Sequence, residues 1–297
     1  LGAAMIRAGD ASVILAGGME SMNGAPYLLA HARFGYRLGD STMVDSLVHD
    51  GLWCAMEHQH MGLAAEWIAE TYQVSRQAMD AYALSSHQRA LAALDRGAFR
   101  GEIVPVALPS SRGSPGVLDT DECPRRDTSP EKLAHLAPAF RPDGLVTAGN
   151  SSAIADGAAA AMIMRRDRAL ELGCVPLARI VAYGQAAVPP REIFTAPIYA
   201  VRRVAALAGM SLQDLDLIEL NEAFAAQVVA DVQALDLDWN KVNVNGGAIA
   251  LGHPIGASGC RILVTLLHAL RERNLEHGMA VACLGGGEAV AMIVEAE

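Results

Sequence analysis

The chain has 297 residues, 52% hydrophobic but only 5% aromatic, with a formal net charge of −10. That length allows a large core built mainly from Ala, Val, Leu, Ile and Met, in one to three domains. The acidic balance argues against the clustered basic surface that nucleic-acid binding needs, while a few well-placed arginines would still serve an anionic small ligand.

"LGAAMIRAGD" reads as a small-residue helix carrying Met5 and Ile6 and stopping at Gly9-Asp10. The chain starts inside this helical pattern and not with Met, which reads as a truncated start. "ASVILAGG" follows as a short buried strand of the parallel kind, a continuous apolar run closed by glycines. Between Ser21 and Asn150 the texture changes. "GLAAEWIAETY" and "RQAMDAYALSSHQRALAALDRG" are predicted helices, the second ended by Gly97. "EIVPVALP" is predicted as a short edge strand because Pro105 cannot sit in a sheet centre, and "SSRGSPGVLDTDECPRRDTSP" as a long polar loop. The whole segment resembles an insertion more than a core layer.

A buried strand returns at "GAAAAMIMRR". The order is then strand ("RIVAYGQAAV"), helix ("PIYAVRRVAALAG"), strand ("DLDLIELN"), helix ("EAFAAQVVADVQAL"), strand ("VNVNGG"), helix ("SGCRILVTLLHALRER") and two strands ("MAVACLGGGEAVAMIVE"). That alternation argues for a mostly parallel, helix-covered sheet. The two ends also resemble each other: "VILAGGME" and "VACLGGGE" match at four of eight positions, and each follows a helix. This implies two related halves, with the helical insertion inside the first.

The five cysteines, Cys54, Cys123, Cys174, Cys260 and Cys283, form no C-x-x-C pair, which reads as a reduced, intracellular protein without a zinc ribbon. No apolar run approaches the ~18 residues that span a bilayer, and no basic-then-apolar leader pattern is read in these 297 residues. "HQHMG" offers a histidine pair, but no third ligand of suitable spacing stands out, so a metal is not expected.

Three places can carry chemistry. "NEAFA" lies at a strand-to-helix junction, where α/β sheets place ligands; apolar Phe224, Val228, Val229, Val232 and Leu235 follow at helical spacing. The plain structural reading is that Asn221 N-caps that helix. In "GGAIALGHPIGASG" six of fourteen residues are Gly or Pro around His253, and Ser258 is expected to cap a helix whose Ile262, Leu263, Leu266, Leu267 and Leu270 form a buried stripe. The pattern is neither a P-loop nor G-x-G-x-x-G. Cys283 ends a strand before Gly285-Gly286-Gly287, whose backbone N–H groups can converge on an oxyanion. A buried cysteine is otherwise a small hydrophobe.

"AGGMESM", "HMG", "VTAGNSSAIADGAAA", "NEAFAAQ", "VNVNGGAIALGHPIGASG" and "CLGGGEAVAM" resemble the successive signatures of thiolases, in the family's order and over essentially the whole chain. The resemblance implies the five-layered αβαβα thiolase fold: two similar halves, with a loop domain inserted in the first. The expected division is residues 1–22 and 151–166 as a remnant of the N-terminal half, 23–150 as a CoA-binding loop domain, and 167–297 as the C-terminal half. The strands at Ser12–Ala16 and Ala158–Met164 should share one incomplete sheet.

The resemblance also implies roles. His253 would activate a nucleophilic cysteine and help form an oxyanion hole, and Asn221 would hold the water completing that hole. Cys283 would act as acid/base on the acyl-donor α-carbon, with the Gly285 N–H in a second hole. His60 and Met61 would line the acyl pocket, and Arg125, Phe140, Ala148, Ser152 and Phe224 would surround CoA and its pantetheine arm. CoA and acyl-CoA are then substrates and no cofactor is permanently bound; a homodimer or homotetramer and a cytoplasmic location are expected. Ping-pong acyl transfer fits these residue types: a thiolate takes the acyl group, a base works at an acidified C–H, and fixed dipoles meet two oxyanions.

The family's nucleophile, in a C-x-S-G-type turn, would fall roughly nine residues before Leu1, and about a quarter of the usual length would be absent. None of the five cysteines substitutes for it, so the 297 residues alone are expected to show no turnover. "HMGLAAE", where Thr often precedes the final Ala-Glu, and Lys132 near the CoA adenosine depart from the pattern. The alternatives are a non-catalytic acyl-CoA-binding or assembly subunit and a sterol-carrier-type relative.

Overall fold

The computed structural model describes residues 1–109 and 116–297. Its first elements are α1 (Gly2–Ala8), ended by Gly9 in the left-handed region, and β1 (Val13–Ser21). The segment that follows carries the short strands β2 (Tyr27–Leu29), β3 (Met43–Asp45), β4 (Trp53–Cys54) and β5 (Gln59–His60), then α2 (Met61–Thr71) and α3 (Arg76–Asp95). Gly97, at φ 76°, follows α3 as expected. Next come β6 (Val106–Leu108), β7 (Gly116–Leu118) and α4 (Pro130–Ala134). The predicted polar loop is thus partly structured, since β7 pairs antiparallel with β6; residues 110–115 of that loop lie outside the described residues.

The remaining elements are β8 (Asp156–Met164), α5 (Arg166–Glu171), β9 (Ala178–Ala187), α6 (Ala196–Ala208), β10 (Leu217–Leu220), α7 (Ala225–Leu235), α8 (Ala248–Leu251), α9 (Ile255–Arg273), β11 (His277–Leu284) and β12 (Glu288–Ala296). The four-stranded sheet runs β10-β11-β12-β9. Only β10 and β11 are parallel; β11–β12 and β12–β9 are antiparallel, so the expected mostly parallel sheet is a mixed one. The reason is local: β12 returns directly from β11 through the Gly285–Gly287 turn, and a tight hairpin joins only antiparallel strands.

Residues of β11 alternate between two cores. Met279 and Val281 join the large cluster with α6 and α7, while Ala280 and Ala282 face Ile262, Leu266 and Leu270 of α9. The predicted α9 stripe is buried at these positions. The other side of α9 packs on β1 and β8, so ribbon, helix, sheet and helix stack in layers.

β1 and β8 pair, as expected, from Val13↔Met164 to Ser21↔Asp156, but the pair is antiparallel and open on one face. Leu15 and Met19 are 72% and 73% exposed, so β1 is not a buried strand of the parallel kind. Nor do Gly17 and Gly18 end the strand. They are glycines for closeness: a Cβ on Gly18 would collide with the carbonyl of Gly256 at the start of α9, and one on Gly256 with that of Met19. The two resembling glycine stretches therefore differ, one lying inside a strand and the other forming a hairpin turn with Gly286 at φ 90° and Gly287 at φ 91°.

"VNVNGG" forms isolated bridges and no regular strand. Asn243 sits at φ 47°, and its side chain substitutes for a strand neighbour, accepting from Leu220 N at 2.8 Å and donating to Leu220 O at 2.8 Å. Among the described residues no helix is long and apolar enough to cross a membrane.

Candidate active site

β10 and β11 run side by side in parallel until β10 ends at Leu220, opposite Val281, while β11 continues to Leu284. One residue past β10, the Asn221 N–H donates to Val281 O at 2.9 Å; two residues past Val281, on the same side of β11, stands Cys283. α7 starts only at Ala225, with Phe224 as its N-cap and no side-chain cap bond, so Asn221 does not cap it. Its side chain turns instead to His253, with Asn221 Nδ2 at 3.2 Å from His253 Nε2.

His253 is held from several directions. Its backbone N–H donates to Ala153 O at 2.9 Å. Ser258 Oγ lies 2.6 Å from Nδ1 and donates its own proton to Pro254 O at 2.9 Å. With that proton committed, the serine oxygen accepts from Nδ1–H, which leaves Nε2 as the bare acceptor facing Asn221; the tautomer is assigned from this network. Ser258 is therefore not the N-cap of α9, because the helix begins one turn earlier, after Pro254. Burial, reinforced by the charge of Arg261, pushes the His253 pKa down to about 4, so the ring is neutral near pH 7. Asn221 Oδ1 is buried and has no partner among the described residues; a bound water or ligand donor would satisfy it.

Cys283 is partly exposed. Its pKa is pushed up to about 12, first by burial and then by Asp231, so it is a thiol, not a thiolate. Asp231 is itself pushed well above the usual carboxylate range by burial, on a helix that offers it only Gln227 as a partner. Beyond Cys283 the Gly285 backbone is exposed, and Met56 Cε lies 3.5 Å from where a Cβ on Gly286 would stand. Met56 thus reaches from the Ser21–Asn150 segment over the glycine turn, a contact that no periodicity announces.

An aromatic row leads to the same junction. The His60 ring stacks on Phe140 with centroids 4.7 Å apart, and Phe140 meets Phe224 edge-on at 6.1 Å. Gly62 explains its place in "HMG": a Cβ there would enter the Phe140 ring. Met61 packs, half-buried, against the same core, and Ser152 N donates to Ala223 O at 3.2 Å. Arg125 and Ala148 are exposed, and neither is hydrogen-bonded to the other candidates; the Arg125 N–H donates to His87 Nδ1 at 3.2 Å. The site thus joins His253 and Asn221 directly, Cys283 through the β11 ladder, and His60, Phe140 and Phe224 through ring contacts. The sequence reading missed the part played by Ser258; the signal was its position in the first turn of the helix after the histidine.

The fold and site can be set beside known proteins. The family model described as "Thiolase, N-terminal domain" matches residues 1–167, and "Thiolase, C-terminal domain" matches residues 174–296. The chain is 53% identical over 292 residues to an acetyl-CoA acetyltransferase of Pseudomonas aeruginosa, covering 98% of this chain and 74% of that protein. It is 52% identical over 296 residues to one of Escherichia coli, covering 99% of this chain and 75% of that protein. The crystal structure of the Bacillus anthracis acetyl-CoA acetyltransferase superposes with a TM-score of 0.95 at 44% identity, over 100% of this chain and 75% of that one. Human mitochondrial 3-ketoacyl-CoA thiolase gives 0.95 at 43% identity, with the same coverage. The expectation of an inactive, truncated chain gains no support from alignments that run along 98% of it.

Proposed function

The chain belongs to the thiolase family, has its layered fold and is a thiolase-type acyltransferase, and on that premise we infer that it cleaves 3-ketoacyl-CoA by thiolysis or joins two acetyl-CoA through a cysteine-bound acyl group. The observation that carries this reading is the His253 ring, neutral and with Nε2 bare beside Asn221. In this state Nε2 can take a proton from an attacking thiol, and after protonation the ring and the Asn221 amide can both point N–H groups at an oxyanion. Cys283, a thiol at rest, is suited to protonate the α-carbon released as C–C cleavage proceeds. The Gly285 N–H is the donor for the second oxyanion.

The division of roles follows the segments: residues 167–297 supply His253, Asn221 and Cys283, while 23–150 supply His60, Met61, Arg125, Phe140 and Ala148 as the CoA- and acyl-facing part. The family models meet between residues 167 and 174, which supports that boundary. The bacterial relatives support a cytoplasmic location. The reading is tested on the product of the whole open reading frame. Acetoacetyl-CoA with CoA should yield two acetyl-CoA, and binding of CoA without turnover would sink it.

Two further results are expected. Activity needs His253 unprotonated, so with a pKa of about 4 the acid limb of kcat/KM lies near pH 4 and not at an imidazole's ordinary 6.5. A rate profile, checked by NMR titration of the His253 ring, measures this; a limb at 6.5 would refute the argument from burial. Arg125→Ala should weaken CoA binding about fivefold (~1 kcal/mol), the modest scale of an exposed arginine–phosphate contact moderated by Asp121 and Glu122. Unchanged affinity in a calorimetric titration would make Arg125 a solvated loop residue.

A further inference from the structure

Glu222 follows Asn221 and has no place in the chemistry above, yet it is 0% exposed. Its carboxylate gathers four donors. Tyr82 OH at 2.6 Å and Asn243 Nδ2 at 3.2 Å reach Oε1; Ser86 Oγ at 2.7 Å and the Ile249 N–H at 2.9 Å reach Oε2. No lysine or arginine pairs with it among the described residues. Both carboxyl oxygens are therefore hydrogen-bonded in the protein interior, each from two sides.

The donors come from separate parts of the chain. Tyr82 and Ser86 lie on α3, in the segment between the two strands of the ribbon. Asn243 belongs to the irregular stretch beside β10, and Ile249 lies in the first turn of α8, which has no side-chain cap of its own and leads through Gly252 to His253. Ser86 Oγ also accepts from Gly247 N at 3.2 Å. Of the two Asn243 Nδ2 protons, one goes to Leu220 O and the other is shared between Glu222 Oε1 and Tyr82 OH, the latter at 2.9 Å. The carboxylate lies so close to Gly247 that a Cβ there would overlap it, which accounts for a glycine in "NGGAIALGHP" that backbone conformation does not require.

We propose that Glu222 is the positioning residue of this site: its carboxylate joins α3, the end of β10 and the start of α8, and so sets where the His253 turn stands relative to Asn221. The proposal rests on the thiolase reading for its kinetic consequences but not for its structural ones.

Glu222→Gln is a demanding probe because the amide cannot satisfy the seat. Tyr82 and Ser86 can reverse their hydroxyls, whereas the Ile249 N–H is backbone and the Asn243 amide is locked by Leu220 N and Leu220 O. Whichever way the glutamine amide turns, its NH2 opposes one fixed N–H. In the product of the whole open reading frame, the variant should lower kcat for acetoacetyl-CoA thiolysis roughly 10- to 100-fold, the scale of a displacement of about 1 Å, with KM for CoA changed less than about threefold. Hydrogen–deuterium exchange should quicken in residues 246–254. Val204→Ala, a cavity on α6 away from the site, provides the reference for general destabilisation and should leave both readouts near wild type. Ser86→Ala, which removes one donor, should move both in the same direction by less, and stands in if Glu222→Gln does not fold. A kcat within twofold of the Val204→Ala reference, or a fall in kcat without faster exchange at 246–254, overturns the proposal. Absence of thiolysis in the wild type would overturn the thiolase reading instead, and the exchange measurement would still decide the role of Glu222.

Discussion

Exchanging His253 for alanine will lower acetoacetyl-CoA thiolysis by at least about 10³-fold, because the ring serves two steps that share one nitrogen. Nε2 is kept bare by the Ser258 contact at Nδ1, so it is the only position on the ring able to accept a thiol proton. Once protonated, that nitrogen becomes a donor toward the oxyanion beside Asn221. Loss of a general base costs about 10²–10⁴, and loss of an oxyanion donor about 10²–10³; the two overlap because one residue does both, so the effects do not multiply fully. His253→Asn should recover part of the oxyanion contact but not the base, and so sit slightly above alanine. Ser258→Ala should fall between these and wild type, since it frees the tautomer without removing the ring. Single-turnover acylation measured by quenched flow separates the steps. An alanine variant within tenfold of wild type would remove His253 from the mechanism.

Cys283→Ala will be the other large loss, again about 10³-fold or more, with CoA binding retained. The reason is its proton. A thiol with a pKa of about 12 remains protonated in the resting enzyme and is ready to donate to the α-carbon as the C–C bond breaks. The thiolate so formed is a stronger base than an ordinary one, and it recovers its proton from the incoming CoA thiol, which then attacks the acyl group. Cys283→Ser keeps the size of the group but binds the proton more tightly still, so serine should not rescue turnover. Deuterium washed into the α-carbon of the acetyl-CoA product reports the protonation step directly. Normal deuterium incorporation in the alanine variant would show that another group supplies the proton.

Much of this site is legible in the sequence. The stripe at Ile262, Leu266 and Leu270, the glycine turn after Cys283 and the placing of Asn221 at a strand end all depend on short-range periodicity and turn chemistry, and these stand in the structure. The motif order was enough to point to the family. Periodicity could not decide partners. "ASVILAGG" reports an apolar strand but not that its neighbour is antiparallel β8, nor that Leu15 and Met19 lie open. Ser258 and Asn221 each looked like a helix cap, since Ser and Asn near a helix start usually bond to its backbone; here each bonds to His253 instead, because the helices begin elsewhere. The Glu222 seat was invisible for the same reason. Its donors, from Tyr82 to Ile249, are brought together only when α3 docks against the end of β10, and a hydrogen bond between distant residues leaves no mark on the local pattern of either. Sequence alone determined which faces are apolar and which residue types carry chemistry; the tertiary structure decided which polar groups meet, because that depends on chain packing across more than a hundred residues and not on the spacing within one helix or strand.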